Sequence, residues 1–408
     1  MELSSRLAWN LSGLPSKWTS FGFTSASGPE HGNGPPGVEP FLPNDEGPLA
    51  VPATSGVGNV FSARGLSAAM TMAAVRTAKE DAHRAGLRYA DSAAPGITRM
   101  RRGRGFSFHA PSGDLIVENS IKERCRGLAV PPAYEDVWIC QDPKGHLQAT
   151  GRDARGRKAY IYHPDWQAFR NQKKYSALLD FGDKLGTARA RNEEQRRGLA
   201  PRQGRILAAM FWLLDHHALR VGNEAYSKEN GSFGATTLRM RHVEDDGAVL
   251  HFAGKSGKDR QVSIDDVRLR NLVRRLSDLP GQHLFQYQDE EGEFRRITSG
   301  EVNAYLHGLF GDDVSAKTFR TWHGSVAAFA RGLEKGAKVD DVLGAASQRL
   351  GNTKAIVRNS YIHPAIIDAV KEGSLEGDAA SHRIGRHYQG FSAEESWFFR
   401  WLKKQEKA

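Results

Sequence analysis

The chain has 408 residues, 39% of them hydrophobic, with 57 Lys and Arg against 47 Asp and Glu and a formal charge of +10. That is enough apolar material for two or three cores. No run of 18 apolar residues occurs and the start lacks the pattern of a signal peptide, so the sequence predicts a soluble intracellular protein with no membrane partner. Two cysteines, Cys125 and Cys140, exclude a disulfide framework and a four-ligand zinc set.

Residues 1–70 contain 10 of the 43 Gly and 8 of the 17 Pro without helical or strand periodicity, which predicts a disordered N-terminal extension. The charged groups there are Arg6, Lys17 and Arg64 against Glu2, Glu30, Glu39, Asp45 and Glu46, so the rest of the chain carries a net +12. A basic excess of this kind suits a polyanion, because each phosphate neutralised releases counterions. Charge alone does not separate a nucleic-acid protein from any other basic protein.

Residues 71–165 read as a small sheet-rich domain. A short helix from Ala73 stops at Gly86, and strand-like pieces follow at Phe106–His109, Asp114–Val117, Tyr134–Cys140, His146–Thr150 and Ala159–Tyr162, separated by Pro and Gly turns. From 166 to 372 the pattern is mainly helical, first over Trp166–Arg191. Arg202–Leu219 then places Ile206, Leu207, Met210, Phe211, Leu213, Leu214, Ala218 and Leu219 at helical spacings. A three-strand meander is predicted at Thr237–Val243, Ala248–Phe252 and Arg260–Ile264, with turns at Asp245-Asp-Gly and Lys255-Ser-Gly-Lys. Helices are expected over 266–277, 300–309, 318–332 and 338–349. Residues 373–408 read as a linker, Gly373–Ser381, and a terminal helix whose Trp397, Phe398, Trp401 and Leu402 are expected to pack on the protein. The fold class is α+β: a small N-terminal antiparallel sheet domain and a mainly α-helical domain containing the meander.

No phosphate-binding Gly-x-x-x-x-Gly-Lys-Ser/Thr, His-Glu-x-x-His, Cys-x-x-Cys or Gly-x-Ser-x-Gly occurs, so ATP use and metalloprotease chemistry lose support. Asp245-Asp246 ahead of Gly247 is read as a hairpin turn rather than a metal site. What remains is a set of cations and one tyrosine. Arg220 lies in Leu219-Arg-Val-Gly-Asn-Glu, Lys255 in Phe252-Ala-Gly-Lys and Arg320 in Lys317-Thr-Phe-Arg-Thr; Asn352 and Tyr361 lie in Leu350-Gly-Asn-Thr-Lys-Ala-Ile-Val-Arg-Asn-Ser-Tyr. Singly, each has an ordinary structural explanation: a cation at a helix C-terminus, a solvated hairpin tip, a tyrosine packed in a core.

As an ordered set, over roughly residues 80–372, they resemble the type IB DNA topoisomerases of the compact viral and bacterial kind. That family has Arg before x-Gly-Asn or x-Gly-Lys, Lys in a Phe-x-Gly-Lys hairpin, Arg in Lys-x-x-Arg-Thr, and Tyr nine residues after His or Asn. The resemblance implies Tyr361 as nucleophile, Arg220 and Arg320 as a clamp on the transition state, Lys255 as general acid and Asn352 as a hydrogen-bond donor to phosphate. It also implies a 3′-phosphotyrosyl intermediate, relaxation of supercoils of both signs without ATP, metal or other cofactor, and a monomer acting on double-stranded DNA in the cytoplasm at the nucleoid. Gln148 and Arg152, in Gln148-Ala-Thr-Gly-Arg-Asp, look like the family's DNA-contacting strand, and Tyr226 like a DNA-contacting tyrosine.

Spacing adds a geometric expectation. On one unbroken helix, Asn352 and Tyr361 would lie about 900° and about 13.5 Å apart, half a turn out of phase. A break near Gly351–Thr353 is therefore predicted, with Asn352 in or beside a loop, Tyr361 on or next to the following helix, and Pro364 just beyond. The nearest alternatives are a tyrosine recombinase, in which His-x-x-Arg is usual where Lys317-x-x-Arg320 stands here, and a non-catalytic DNA-binding protein on the same fold.

Overall fold

The computed structural model describes residues 75–197, 202–377, 379–385 and 387–406. The extension expected at 1–70 lies outside the described residues. Two units divide the rest, one of residues 95–139 and 149–161, the other of 75–94, 140–148 and everything from 162 onward.

The first unit is built on an antiparallel sheet. Its strands are β1 (Ile97–Arg102), β2 (Gly105–His109), β3 (Glu135–Ile139), β4 (Leu147–Arg152) and β5 (Lys158–Tyr162), in the order β2-β1-β3-β4-β5. Strands β1 and β2 form a hairpin with Arg102 opposite Gly105; Gly103 supplies the positive φ of 55° that its tight turn needs. Alternation puts Val137 and Ile139 of β3 on one face, where they meet Ile97, Phe108, Ala149 and Cys125 of helix α2 (Asn119–Gly127). The strand expected at Asp114–Val117 does not form. Leu115 makes one isolated bridge to His109 of β2, with Ala110 N–H on the Asp114 carbonyl and Ile116 N–H on the Phe108 carbonyl, and Leu115 and Val117 are exposed.

In the second unit a helix, α1, runs through residues 75–84. Helix α3 (Pro164–Gln195) opens with Pro164 and a capping His163, whose Nδ1 accepts the Asp165 N–H at 3.2 Å. Helix α4 (Gln203–His217) is apolar nearly all round and buried, as its sequence predicts. After the short α5 (Glu224–Asn230) come β6 (Val243–Glu244), β7 (Val249–Ala253) and β8 (Asp259–Ser263), a three-stranded antiparallel sheet in that order. The first strand is much shorter than expected. Residues 235–237 and 240–242 are 3₁₀ turns, because Thr237 Oγ1 and His242 Nδ1 bond the nearby backbone N–H groups of Gly234 and Arg239.

Helix α6 (Val267–Ser277), the hairpin of β9 (Gln286–Gln288) and β10 (Phe294–Arg296), α7 (Ser299–Phe310), α8 (Ala316–Gly332), α9 (Val339–Leu350), α10 (Lys354–Ser360) and α11 (Pro364–Lys371) follow. The hairpin and α11 were not foreseen in the sequence. The segment expected to be a linker carries two short helices, α12 (Ser374–Gly377) and α13 (Ala379–Arg383), and leads to α14 (Ala393–Gln405). Helix α14 buries Phe398, Phe399, Trp401 and Leu402, so its aromatics pack on the protein as expected. Trp322 of α8 sits in a cluster of rings: it meets Phe181, Phe398 and Phe399, and Phe181 in turn meets Phe310 and Phe319, with Phe211 against Phe319. Cys125 and Cys140 are buried and form no disulfide. No described helix is long and apolar enough to cross a membrane.

Candidate active site

Helix α4 ends where Ala218 turns left-handed, φ 48°, and the chain leaves it as an extended segment carrying Arg220. That segment is pinned by Ala235 N–H on the Arg220 carbonyl at 2.9 Å and Thr236 N–H on the Val221 carbonyl at 2.7 Å. Gly222 makes the approach possible, since a Cβ there would fall 2.9 Å from Thr237 Oγ1. Arg320 lies on α8, one turn in from its N-terminus, and is buried. Its Nη1 donates to the Ala218 carbonyl and its Nη2 to the Leu350 carbonyl at 3.0 Å, so it binds the ends of two other helices, α4 and α9.

The break expected between Asn352 and Tyr361 is present. Helix α9 closes on Gly351 with φ 66°, Asn352 stands in the loop, and Thr353 caps α10, its Oγ1 accepting the Ile356 N–H. Asn352 Oδ1 accepts from Arg320 Nη2 and, at 3.1 Å, from Arg220 Nη2. Both oxygen contacts leave the amide Nδ2 as the residue's donor. Tyr361 is the C-cap of α10, with its N–H on the Val357 carbonyl at 2.9 Å, and Val357 and Ile362 anchor that turn in the core. Pro364 opens the next helix.

The Tyr361 ring is buried, with the Arg320 guanidinium carbon 5.0 Å from its centroid. Burial alone raises the phenol's pKa; the charge and hydrogen bonding of Arg320, with the charges of Lys317 and Arg220, outweigh it, and the value falls below that of an ordinary tyrosine. Arg320 Nε is buried with no hydrogen-bond partner among the described residues. Arg260 of β8 adds a further guanidinium: burial lowers its pKa, and the charges of Arg320 and Arg349 lower it further. A cluster of like charges of this kind gains from a bound polyanion.

The structure therefore brings Arg220, Arg320, Asn352 and Tyr361 together. Lys255 stands on the exposed turn between β7 and β8, in a 3₁₀ turn over Lys255–Gly257. Gln148 is buried, its Nε2 donating to the carbonyls of Asp142, Pro143 and Gly145 at 3.2, 3.0 and 2.7 Å. Arg152 is exposed, donating to the Gly156 carbonyl at 2.8 Å and lying 3.4 Å from Asp136. Tyr226 belongs to α5, and its side chain lies outside the described residues. Arg260 and Lys317 escaped the sequence reading. Lys317 stands in the quoted Lys-x-x-Arg motif, and Arg260 follows the Lys255 turn by two residues of strand, the only signals of either.

A buried trio, Asp215, His323 and Glu395, has ligand atoms within 4.8 Å of one another. Arg189 occupies the charge of that trio. Its Nε and Nη2 donate to Asp215 at 2.7 and 2.8 Å, and its Nη1 and Nη2 to Glu395 at 2.8 Å each. The geometry is that of a buried ion-pair network, with Trp322 Nε1 adding a bond to Glu395 at 2.9 Å.

Two family models match the chain: the catalytic core of eukaryotic DNA topoisomerase I over residues 163–359, and the N-terminal domain of bacterial DNA topoisomerase IB over 105–153. The DNA topoisomerase 1B of Acanthamoeba polyphaga mimivirus is 27% identical over 285 residues, 65% of this chain and 85% of that protein. The DNA topoisomerase 1B of vaccinia virus (strain Copenhagen) is 21% identical over 255 residues, 59% of this chain and 76% of its own. DNA topoisomerase 1 of Schizosaccharomyces pombe is 32% identical over 122 residues, and the chain spans only 14% of that longer protein. With the two-part fold, the arginine pair around a buried tyrosine and these matches, the chain belongs to the type IB DNA topoisomerases.

Proposed function

We propose that this topoisomerase relaxes positive and negative supercoils by transient cleavage of one strand of duplex DNA, with Tyr361 as the nucleophile. The Tyr361 Oη attacks the scissile phosphorus, the phenol proton passes to solvent, and the P–O5′ bond breaks. The strand is then held as a 3′-phosphotyrosyl ester, which conserves the energy of the phosphodiester for religation. Arg220 and Arg320 face the non-bridging oxygens, where negative charge grows in the pentacoordinate state, and Asn352 Nδ2 adds a neutral donor. Lys255, on its exposed hairpin turn, gives its proton to the departing 5′ oxygen. Religation reverses each step. Arg152 and Tyr226 contact DNA outside the reacting phosphate, the 71–165 domain acts with the 166–372 domain on the duplex, and the enzyme works as a monomer without ATP, metal or another cofactor.

The observation that carries this reading is the buried Tyr361 ring against Arg320, whose Nε has no hydrogen-bond partner among the described residues and whose Nη2 shares Asn352 with Arg220. A buried guanidinium with an unused donor is suited to a phosphate oxygen. The test is relaxation of supercoiled plasmid in EDTA without ATP, together with a denaturing gel of a duplex labelled at the 5′ end of the cleaved strand. A covalent adduct on the 3′-phosphate side that disappears in Tyr361→Phe, while salt-dependent DNA binding persists, supports the reading. Site-specific joining of two duplexes without relaxation would assign the chain to strand exchange instead.

A further inference from the structure

Helix α3 carries one lysine into unusual surroundings. The Lys174 Nζ donates to the Ser360 carbonyl at 3.3 Å and to Asn171 Oδ1 at 3.2 Å, and lies 4.1 Å from the centroid of the Tyr175 ring. Among the described residues no carboxylate pairs with it. The groups that face it are Lys317 from α8 and His363 from the start of α11, together with the Tyr175 ring on its own helix. Burial, then the charge of Lys317, pushes the Lys174 amine down to about 7. Burial, then the charge of Lys174, pushes His363 down to about 4, so the imidazole is neutral at working pH. An apolar side chain of similar length would fill the same space without the desolvation cost.

The amine's one backbone contact is the peptide that leads into Tyr361. Ser360 is the last residue of α10, and its carbonyl is one of the acceptors that a helix end leaves without an intrahelical donor. On the far side the Tyr361 carbonyl accepts from Ser325 Oγ at 3.3 Å. The two peptide groups that flank the Tyr361 Cα are thus held from two different helices, α3 and α8.

We propose that Lys174 is a positioning residue for DNA cleavage, its ammonium holding the Ser360 carbonyl so that the Tyr361 phenol is aimed at the scissile phosphate. The proposal rests on Tyr361 being the nucleophile. Lys174 acts through Ser360, and its protonated form holds the carbonyl by a charge-assisted bond, which weakens as the amine loses its proton. With the amine titrating near 7, the grip is full at lower pH and fades as pH rises through that value.

The test compares wild type, Lys174→Met and Lys174→Arg in single-turnover cleavage of a suicide duplex from pH 5.5 to 9, with DNA affinity measured in the Tyr361→Phe background and folding by thermal melting. Lys174→Met is expected to cleave about 10-fold more slowly below pH 7, with the gap narrowing to about 2-fold at pH 9. Lys174→Arg should recover most of the rate and lose the titration near neutrality, while affinity and melting stay as in wild type. A rate for Lys174→Met equal to wild type at all pH overturns the proposal. So does a gap that is constant with pH and shared by Lys174→Arg, which would mark a packing role, or a loss of affinity equal to the loss of rate, which would mark a DNA contact. An adduct that survives in Tyr361→Phe would instead overturn the choice of nucleophile, and this proposal with it.

Discussion

The guanidinium carbon of Arg320 lies 5.0 Å from the ring centroid of Tyr361, and both residues are buried. One cation thus serves two ends. It offsets the burial that would otherwise raise the pKa of the phenol, and in the proposed mechanism it presents a donor to the scissile phosphate. Arg320→Ala should lower single-turnover cleavage by about 10²–10³-fold. The same substitution should move the pH at which the rate levels off upward, because the largest opponent of the burial effect is gone. A pH–rate profile on a labelled duplex reads both effects.

Gly324 stands one helical turn beyond Arg320, where α8 passes close to Tyr361. A Cβ at Gly324 would fall 2.9 Å from the Tyr361 carbonyl oxygen and 2.9 Å from Leu350 Cδ1. The first neighbour is backbone and has little freedom to move away. Gly324→Ala should cost about 1–3 kcal/mol in urea unfolding. It should slow cleavage while leaving equilibrium DNA binding near wild type, since no DNA contact changes.

Arg189 compensates two carboxylates that the core has taken out of water. Burial raises the pKa of Asp215 and of Glu395, but hydrogen bonds from His323 and Arg189 to the first, and from Arg189 to the second, hold both below the usual carboxylate range. Arg189→Met should destabilise the protein by about 3–5 kcal/mol, because it strands two buried charges. Unfolding titrations with and without the substitution measure this.

Acid should weaken the fold in two stages. Burial, first among the causes, pushes His217, His242 and His363 down to about 4. Each binds a proton more readily unfolded than folded, so its contribution is full above about 6.5 and is lost as pH falls toward 4. The depressed carboxylates Asp215 and Glu395 contribute above about 4.5 and are lost at lower pH. Urea midpoints should therefore decline from pH 7 to pH 5 and decline again below pH 4.5, and His363→Phe should reduce the first decline.

Helix α14 lies beyond the region matched by either family model, yet Phe399 fills space in the core that Gly182 of α3 leaves open. A Cβ at Gly182 would fall 2.4 Å from Phe399 Cε2. Phe399→Ala should cost about 3–5 kcal/mol, and Gly182→Ala should destabilise by displacing the ring. Thermal melting of the two single variants and the double variant tests the contact. A double variant less destabilised than the sum of the two confirms that the residues share one site.

Where local physics decides structure, the sequence was readable. Gly351 stops α9 because a left-handed residue is cheapest for glycine, and the phase mismatch between Asn352 and Tyr361 required that stop. The apolar face of α4 and the aromatic face of α14 were evident for the same reason. The failures lie where a partner decides. Asp114–Val117 has strand chemistry but only one bridge to a neighbour, whereas Ile97–Arg102, with three arginines in six residues, is a strand because β2 and β3 flank it. Thr237–Val243 alternates like a strand, but side-chain bonds to the nearby backbone give 3₁₀ turns at 235–237 and 240–242.

The order and contexts of Arg220, Lys255, Arg320, Asn352 and Tyr361 are properties of the sequence, and as a set they carry its resemblance to the type IB DNA topoisomerases. Only the tertiary structure decides which of these side chains share a hydrogen bond, that Arg320 is anchored by the ends of α4 and α9, and that Lys174, 187 positions before Tyr361, holds the peptide in front of it. The reason is physical. A helix stop or a motif is set by neighbours in the chain, whereas the charge state of a buried phenol or amine depends on what packing brings against it, and residues far apart in sequence carry no local sign of that encounter.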